Sequence, residues 1–255
     1  MENFASNIYV LIFVMLRIMG SMIYNPILSR KNLPATVRAG LSLTMALLYV
    51  SVYPDMQVVV KGYFDFALIA ARELFIGFAV GYVVQLFIGT VVLAGEIIDY
   101  QLGLTMGKVY DPVNASQISV TAVFLNTMFV IYFFQSGAYL SFIKLFWNSY
   151  EVLPIGYGLV TNELTMHIVK LFTSMYVLAV KMSVPIIAAH IITEMAVGVL
   201  MKAVPQINIF VVNMQIKIVM GGITFFAILT PLSAFINKLI NLMAGHINTV
   251  INLLS

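Results

Sequence analysis

The chain has 255 residues, of which 62% are hydrophobic and only 9% are charged, and its formal net charge is +3. Ordinary soluble domains are about 25% charged, so this chain lacks the charge that a water-facing surface needs, and an integral membrane protein is the expected class. The small, dispersed positive charge does not indicate nucleic-acid binding. Cysteine is absent, which excludes disulfides, thiolate metal sites and a cysteine nucleophile.

Six apolar segments follow one another along the chain, with no polar linker between them. Three carry no charge and have the roughly 20 residues that a membrane-spanning helix needs: 74–95, 112–143 and 218–237. Three others are shorter or contain charges: 8–28, 39–53 and 166–201. We therefore predict one all-α integral membrane domain over residues 1–255, with about six hydrophobic helical segments.

Charged residues inside apolar segments are costly in lipid, so they usually face a partner or water. Such residues line a substrate path in a transporter, whereas in a larger assembly they pair across subunit interfaces, and the sequence leaves both alternatives open. The candidates for interface or pore charges are Arg17, Glu96, Asp99, Lys181, Glu194 and Lys217. Arg72 and Glu73 open a charge-free run and are predicted to mark the membrane interface, with their side chains pointing outward.

Glycines recur along the segment that follows Arg72. Gly77, Gly81 and Gly89 lie at multiples of four residues on one helix face. Small residues at this spacing let another backbone approach closely. Because the pattern is common in apolar helices, it predicts tight helix packing but no particular function.

A polar stretch, GEIIDYQLGLTMGKVYDPVNAS (95–116), separates two long charge-free segments. Glu96 and Asp99 lie one helical turn apart, and nothing nearby supplies a nucleophile or a metal for acid–base chemistry, so they are predicted to form a polar helix end. The Asp-Pro pair at 111–112 is a turn signal, and a polar residue after it, Asn114 or Ser116, is predicted to cap the next helix. The stretch therefore predicts a helix end, an apolar hairpin tip and a new helix start.

Signals for catalysis or metal binding are nearly absent. The chain contains no HExxH, GxSxG, Walker A or GxGxxG motif, and its histidines, at 167, 190 and 246, are far apart in sequence. His190 and Glu194 share a helix face and could hold a metal or relay a proton. One imidazole and one carboxylate make a poor site, so a buried hydrogen-bonded pair is preferred. We expect no catalysis, no cofactor and no metal.

The C-terminal segment has the pattern of an amphipathic helix. From Leu232 to Leu254, apolar residues recur at steps of three and four, with Asn, Ser, Thr and Lys between them. Two alternatives are open: a terminal helix that lies along the bundle, or a docking face for a partner subunit.

The stretch GEIIDYQLGLTMGKVYDP, followed by a small polar patch and a long apolar helix, resembles the FliR family of flagellar export-gate subunits and their injectisome counterparts. Four further stretches agree in order, and the resemblance covers essentially the whole chain. They are NLPATVRAGLSLTMALL (32–48), RELFIGFAVGYVVQ (72–85), LPIG (153–156) and KAVPQINIFVV (202–212).

The resemblance implies both a fold and a function. Members of the family look like helical hairpins that assemble with FliP-like and FliQ-like subunits into a closed export channel, with FlhB-like and FlhA-like proteins attached nearby. The expected function is that of a structural subunit of the flagellar type III export gate, through which unfolded flagellar proteins cross the bacterial cytoplasmic (inner) membrane at the flagellar basal body.

The resemblance also implies a plug loop between two helices of the channel, which maps onto 104–111 here. The family's plug tends to be rich in phenylalanine, whereas this chain offers methionine, valine and tyrosine. The plug candidates are Leu104, Met106, Lys108, Val109, Tyr110 and Asp111, with hinges at Gly103, Gly107 and Pro112.

Two alternatives to the flagellar function are an injectisome homologue and a small-solute secondary transporter. The transporter would use Arg17, Lys181 and Glu194 as path residues, and it is expected to show internal repeats or paired broken helices. The chain shows no convincing repeat, so the transporter is the weaker alternative.

Overall fold

The computed structural model describes residues 2–23, 34–53, 56, 58–104, 110–111, 116–117, 119–158, 161–203 and 209–255. In these parts of the chain there are eight helices: α1 (Glu2–Ile23), α2 (Ala35–Val52), α3 (Tyr63–Leu102), α4 (Val120–Gln135), α5 (Ala138–Val152), α6 (Asn162–Ala203), α7 (Ile209–Ala227) and α8 (Leu229–Leu254). Each predicted apolar segment is mainly helical where it is described, although 112–143 also contains a two-residue strand at 116–117 and both 112–143 and 218–237 are divided between two helices. The all-α prediction is confirmed.

Three helices, α2, α3 and α6, are each long and apolar enough to cross a membrane. Two bent pairs, α4 with α5 and α7 with α8, raise this number to five among the described residues if each pair is one span. The bends are 70° and 60°. The fold is therefore that of an all-α membrane protein.

The two bends interrupt segments that the sequence presents as continuous. Between α4 and α5, Gly137 has a φ of +71°, a left-handed conformation that glycine adopts without a steric cost. Pro231 lies in the first turn of α8. In an unbroken α7–α8 helix its ring would clash with the carbonyl of Ala227, so the helix breaks before it.

The chain divides into two compact units. Unit 1 comprises Met1–Phe87, Gly137–Phe172 and Ile240–Ser255, and unit 2 comprises Ile88–Ser136 and Thr173–Leu239. Three of the four boundaries fall inside α3, α6 and α8, so each of these helices contributes to both units, and the fourth lies between α4 and α5. A single domain over 1–255 stays a prediction.

In unit 1, helices α1 and α3 approach backbone to backbone. A Cβ atom added at Gly77 would collide with the carbonyl oxygen of Arg17, and one added at Gly81 would lie 2.5 Å from the carbonyl oxygen of Ser21. Gly20 makes the reciprocal approach from α1, against the carbonyl of Leu74. Gly89 does not take part, since a Cβ there meets no heavy atom within 4 Å. The glycine face thus packs closely at two of its three predicted positions.

Helix α8 has the amphipathic character that its sequence predicts. Its buried residues are Leu232, Ile236, Leu239, Ile240, Met243, Ile247, Val250, Ile251 and Leu254. Lys238, Asn241 and Asn248 are exposed on the other side. The apolar face is buried inside the chain, as expected for a helix that lies along its own bundle, and it is not left free as a docking face.

Candidate functional site

A buried ion pair joins α1 to α3 inside unit 1. The side chains of Arg17 and Glu73 are 1% and 0% exposed. Arg17 Nε donates to Glu73 Oε2 at 2.6 Å and Arg17 Nη2 donates to Glu73 Oε1 at 3.1 Å, so the pair is bidentate. A bidentate pair is the geometry that compensates best for removing two charges from water.

The remaining donors of Arg17 reach the end of α5. Its Nη1 donates to Ser149 Oγ at 3.1 Å and its Nη2 to the carbonyl of Leu153 at 3.0 Å, while the Tyr150 ring lies 4.0 Å from the guanidinium carbon. This is cation–π distance. A side chain of α1 therefore fixes the C-terminal end of α5.

Helix α3 holds the loop that follows α5. Glu73 Oε1 accepts from the backbone N–H of Gly156 at 2.9 Å, and Arg72 Nη1 donates to the Gly156 carbonyl at 2.6 Å. Gly156 has a φ of +88°, which favours glycine at the end of the LPIG stretch.

These contacts bear on two predictions. Glu73 does not point outward to a membrane surface, so that prediction is wrong. Arg17 is paired inside its own chain, and its role as an interface or pore charge stays a prediction. Both side chains belong to the interior of unit 1, because each buried charge needs the other.

Asp99 forms a second internal connection, in unit 2. Its carboxylate is 1% exposed and accepts from Ser119 Oγ at 2.6 Å and from the backbone N–H of Thr121 at 3.2 Å. Ser119 in turn caps α4 by accepting from the N–H of Ala122 at 3.2 Å. A negative charge is favourable at the N-terminus of a helix, so Asp99 of α3 fastens the start of α4.

This arrangement corrects the predicted cap, since α4 is capped by Ser119 instead of Asn114 or Ser116. Asp99 has its partners within its own chain, and its role as an interface or pore charge stays a prediction. Glu96, three residues before Asp99, is exposed as expected for a polar helix end.

The end of α3 is also packed closely from two sides within unit 2. A Cβ at Gly95 would lie 2.5 Å from the backbone nitrogen of Ala122 in α4. From α6, Ser183 Oγ donates to the carbonyl of Ala94 at 3.2 Å. The base of the predicted plug region is therefore built from tightly joined helices.

The structure describes the start of the plug region at Gly103 and Leu104, and a short pair of strands at its other end. Gly103 follows α3 with a φ of +72°, and Leu104 is half-buried. Strands β1 (Tyr110–Asp111) and β2 (Ser116–Gln117) are antiparallel, with Tyr110 opposite Gln117, a pairing that the sequence analysis missed. Outside the described residues lie Met106, Gly107, Lys108, Val109 and Pro112, and with them the side chains of Tyr110 and Asp111.

A third charged cluster joins α6 to α7 in unit 2. Glu194 Oε1 lies 3.4 Å from His190 Nε2 and accepts from Lys217 Nζ at 2.6 Å. The Glu194 side chain is 51% exposed, so the predicted burial of the His190–Glu194 pair is wrong for the carboxylate. The sequence analysis missed Lys217 as the partner because it lies 23 residues away on another helix.

Lys181 is exposed on α6. Within the described ranges, no group of three or more His, Cys, Asp or Glu side chains is arranged to hold a metal ion.

Large apolar side chains remain uncovered on α2 and α6. In the most apolar window of each helix, only 17% is buried inside the chain, against 61% for α3. On α6 the exposed side chains include Ile192, Met195 and Val199. Such surface is too apolar for water and is typical of a contact with lipid or with other subunits.

The fold and these clusters define an all-α membrane protein in which two buried carboxylates, Glu73 and Asp99, join the chain's own helices, while α2 and α6 present apolar surface outward. The chain belongs to the family described as bacterial export proteins, family 1, which matches residues 8–243.

Named relatives agree with this assignment. The chain is 25% identical over 250 residues to the flagellar biosynthetic protein FliR of Bacillus subtilis, covering 96% of this chain and 94% of the relative. It is 26% identical over 252 residues to FliR of Escherichia coli, covering 97% and 96%. It is also 25% identical over 204 residues to the Yop proteins translocation protein T of Yersinia pestis, covering 79% and 78%.

Proposed function

We propose that this chain is a structural subunit of the flagellar type III protein export gate and has no catalytic activity of its own. The observation that carries the proposal is the alignment with two flagellar relatives, which extends over 96% and 97% of the chain. The similarity to the Yop translocation protein covers 79% of it, which makes an injectisome homologue the second candidate.

The proposed location is the bacterial cytoplasmic (inner) membrane, at the flagellar basal body. FliP-like and FliQ-like subunits are the proposed direct partners, with FlhB-like and FlhA-like proteins nearby and unfolded exported proteins as the cargo. The uncovered apolar side chains of α2 and α6 support a role inside a larger assembly, because they offer surface on which other membrane subunits can pack.

Deleting the gene from its host tests the flagellar assignment. We expect loss of swimming, of filaments and of flagellar proteins in the culture medium, with full restoration by the wild-type chain from a plasmid. Export of injectisome substrates should continue in the deletion strain. Unimpaired flagellar export would exclude the flagellar role, and loss of effector secretion with intact flagella would establish the injectisome alternative.

We also propose that 104–111 closes the resting channel, with Met106, Val109 and Tyr110 as its apolar seal. Hydrophobic constrictions hold back water and ions by dewetting, and methionine adapts to irregular gaps. The rigid base formed by Asp99, Ser119 and Gly95 supports this proposal, because a displaceable plug needs fixed ends.

Conductance measurements on cells that carry the assembled complex test the plug. Deleting 105–109, or replacing the three apolar residues by serine, should let small solutes and ions leak across the membrane, because wetting then becomes favourable. Lys238→Gln is the control, since it changes an exposed residue of α8 that belongs neither to the plug nor to the candidate pore charges. Conductance equal to that of wild type, with assembly verified by co-purification, would mean that the seal lies on another subunit.

A further inference from the structure

Two histidines that are distant in sequence meet inside unit 1. His246 Nδ1 of α8 lies 3.3 Å from His167 Nε2 of α6, and the ring centroids are 5.4 Å apart. Both residues are half-buried. These two nitrogens are within hydrogen-bond distance of each other. One of them carries the hydrogen and donates, and the other accepts.

The surrounding packing holds the two rings in this position. Six residues before His167, Thr161 Oγ1 donates to the carbonyl of Leu253, seven residues after His246, at 3.1 Å. The start of α6 and the end of α8 thus run antiparallel in a fixed register. Leu164 and Ile247 are buried beside them, and the Phe87 ring lies 5.9 Å from the ring of His246. The pair is therefore part of a packed helix–helix contact.

The distance between the two nitrogens also suits a metal ion. Zinc binds imidazole nitrogen at about 2.0–2.1 Å with tetrahedral geometry, which separates two ligand nitrogens by about 3.3–3.4 Å. The ion would take the place of the shared hydrogen, with both imidazoles neutral and their lone pairs directed at it.

We propose that His167 and His246 form a binding site for a divalent transition-metal ion of the zinc, copper and nickel class, which imidazole ligands favour. The ion bridges α6 to the C-terminal helix α8. Within the described residues no third His, Asp or Glu joins the pair, so water completes the coordination. The site is consequently an exchangeable one and not a structural zinc centre with four protein ligands.

Metal titration of the full-length chain, extracted from membranes with whatever subunits accompany it and stripped with a chelator, tests the proposal. Binding of Zn²⁺ is followed by calorimetry, and binding of Cu²⁺ by electron paramagnetic resonance, which detects coordinated nitrogen. We expect one saturable ion per chain, lost in His167→Asn and in His246→Asn. His190→Asn is the matched control, since it removes a histidine of α6 outside the pair, and it should keep the site.

A second measurement uses only the wild-type chain, so it does not depend on whether the variants fold. Chemical modification of histidines in the wild-type chain, read by mass spectrometry, should be slowed by Zn²⁺ at His167 and His246 and unchanged at His190. The absence of saturable binding to the wild type overturns the proposal. Equal protection of all three histidines, or binding that persists in the His167→Asn/His246→Asn double variant, overturns it as well.

Discussion

Helices α3 and α6 are nearly equal in length, at 40 and 42 residues, and both are apolar enough to cross a membrane. In the most apolar window of each, 61% of α3 is buried inside the chain but only 17% of α6. Their charges differ in the same way: Glu73 and Asp99 of α3 are buried, whereas Lys181 and Glu194 of α6 are exposed.

The difference shows that apolar composition alone does not decide whether a helix faces its own chain. The close approach of neighbouring backbones decides it. Helix α3 allows this approach at Gly77, Gly81 and Gly95, where the neighbouring backbones leave no room for a Cβ. Carboxylates at 73 and 99 then find donors on the adjacent elements. We infer that α3 is the internal scaffold and that α6 supplies the surface on which other subunits pack.

The largest effect is expected from breaking the buried ion pair. Arg17→Met leaves the Glu73 carboxylate buried without its cation, which should lower the free energy of unfolding by about 3–5 kcal/mol. Unfolding of the purified chain in detergent measures it. The control Lys181→Met removes an exposed charge of α6 and should change stability little. If the unpaired carboxylate is the cause, adding Glu73→Leu to Arg17→Met should recover much of the loss. Equal losses of unfolding free energy in the Arg17 and Lys181 variants would contradict the distinction between the buried charge of α3 and the exposed charge of α6.

A smaller effect is expected from a single methyl group on α3. Gly77→Ala places a Cβ against the Arg17 carbonyl and should destabilise the chain by about 2–3 kcal/mol through overpacking. Gly89→Ala is the matched control on α3, because a Cβ at this position meets no heavy atom within 4 Å. It should leave the stability of the chain unchanged or raise it slightly, since alanine has a higher helix propensity than glycine. Thermal unfolding of both variants in one detergent gives the comparison, and similar losses would contradict the backbone contact.

The smallest effect concerns the connection at Asp99. Asp99→Asn keeps only one of the two oxygens that accept from Ser119 Oγ and from the Thr121 N–H, and it loses the charge near the start of α4, a cost of about 1–2 kcal/mol. Glu96→Gln makes the matching change at an exposed position and should have little effect. Hydrogen exchange of the first amides of α4 is the measurement: they should exchange faster in the Asp99 variant. Unchanged protection would mean that Asp99 does not hold the helix start.

The sequence predicts the elements well and the charge partners poorly, for a physical reason. Apolar runs and the three- and four-residue steps of α8 are local patterns, so the mainly helical character of the six segments and the amphipathic helix are predicted correctly, whereas the bends that divide 112–143 and 218–237 are not. The partners of Arg17 are 56, 132 and 136 residues away, and no local spacing encodes such distances. For the same reason Glu73 is predicted to point outward and Lys217 is missed as the partner of Glu194.

The glycines illustrate the same limit. Their spacing at 77, 81 and 89 identifies one helix face correctly, but it does not say where along that face the neighbouring helix crosses. Gly20 of α1 and Gly95 of α3, which take part in close approaches, lie outside the pattern.

Cysteine accessibility in the assembled complex tests the central claim most directly, and the absence of native cysteine provides a clean background. Single cysteines at Ile192 and Val199 of α6 should react with a maleimide in the isolated chain and be protected once the other export-gate subunits are bound. A cysteine at the buried Val83 of α3 should be unreactive in both states. Equal labelling at 192 and 199 with and without the other subunits, or ready labelling at 83, would contradict the assignment of α3 as the internal scaffold and α6 as the assembly surface.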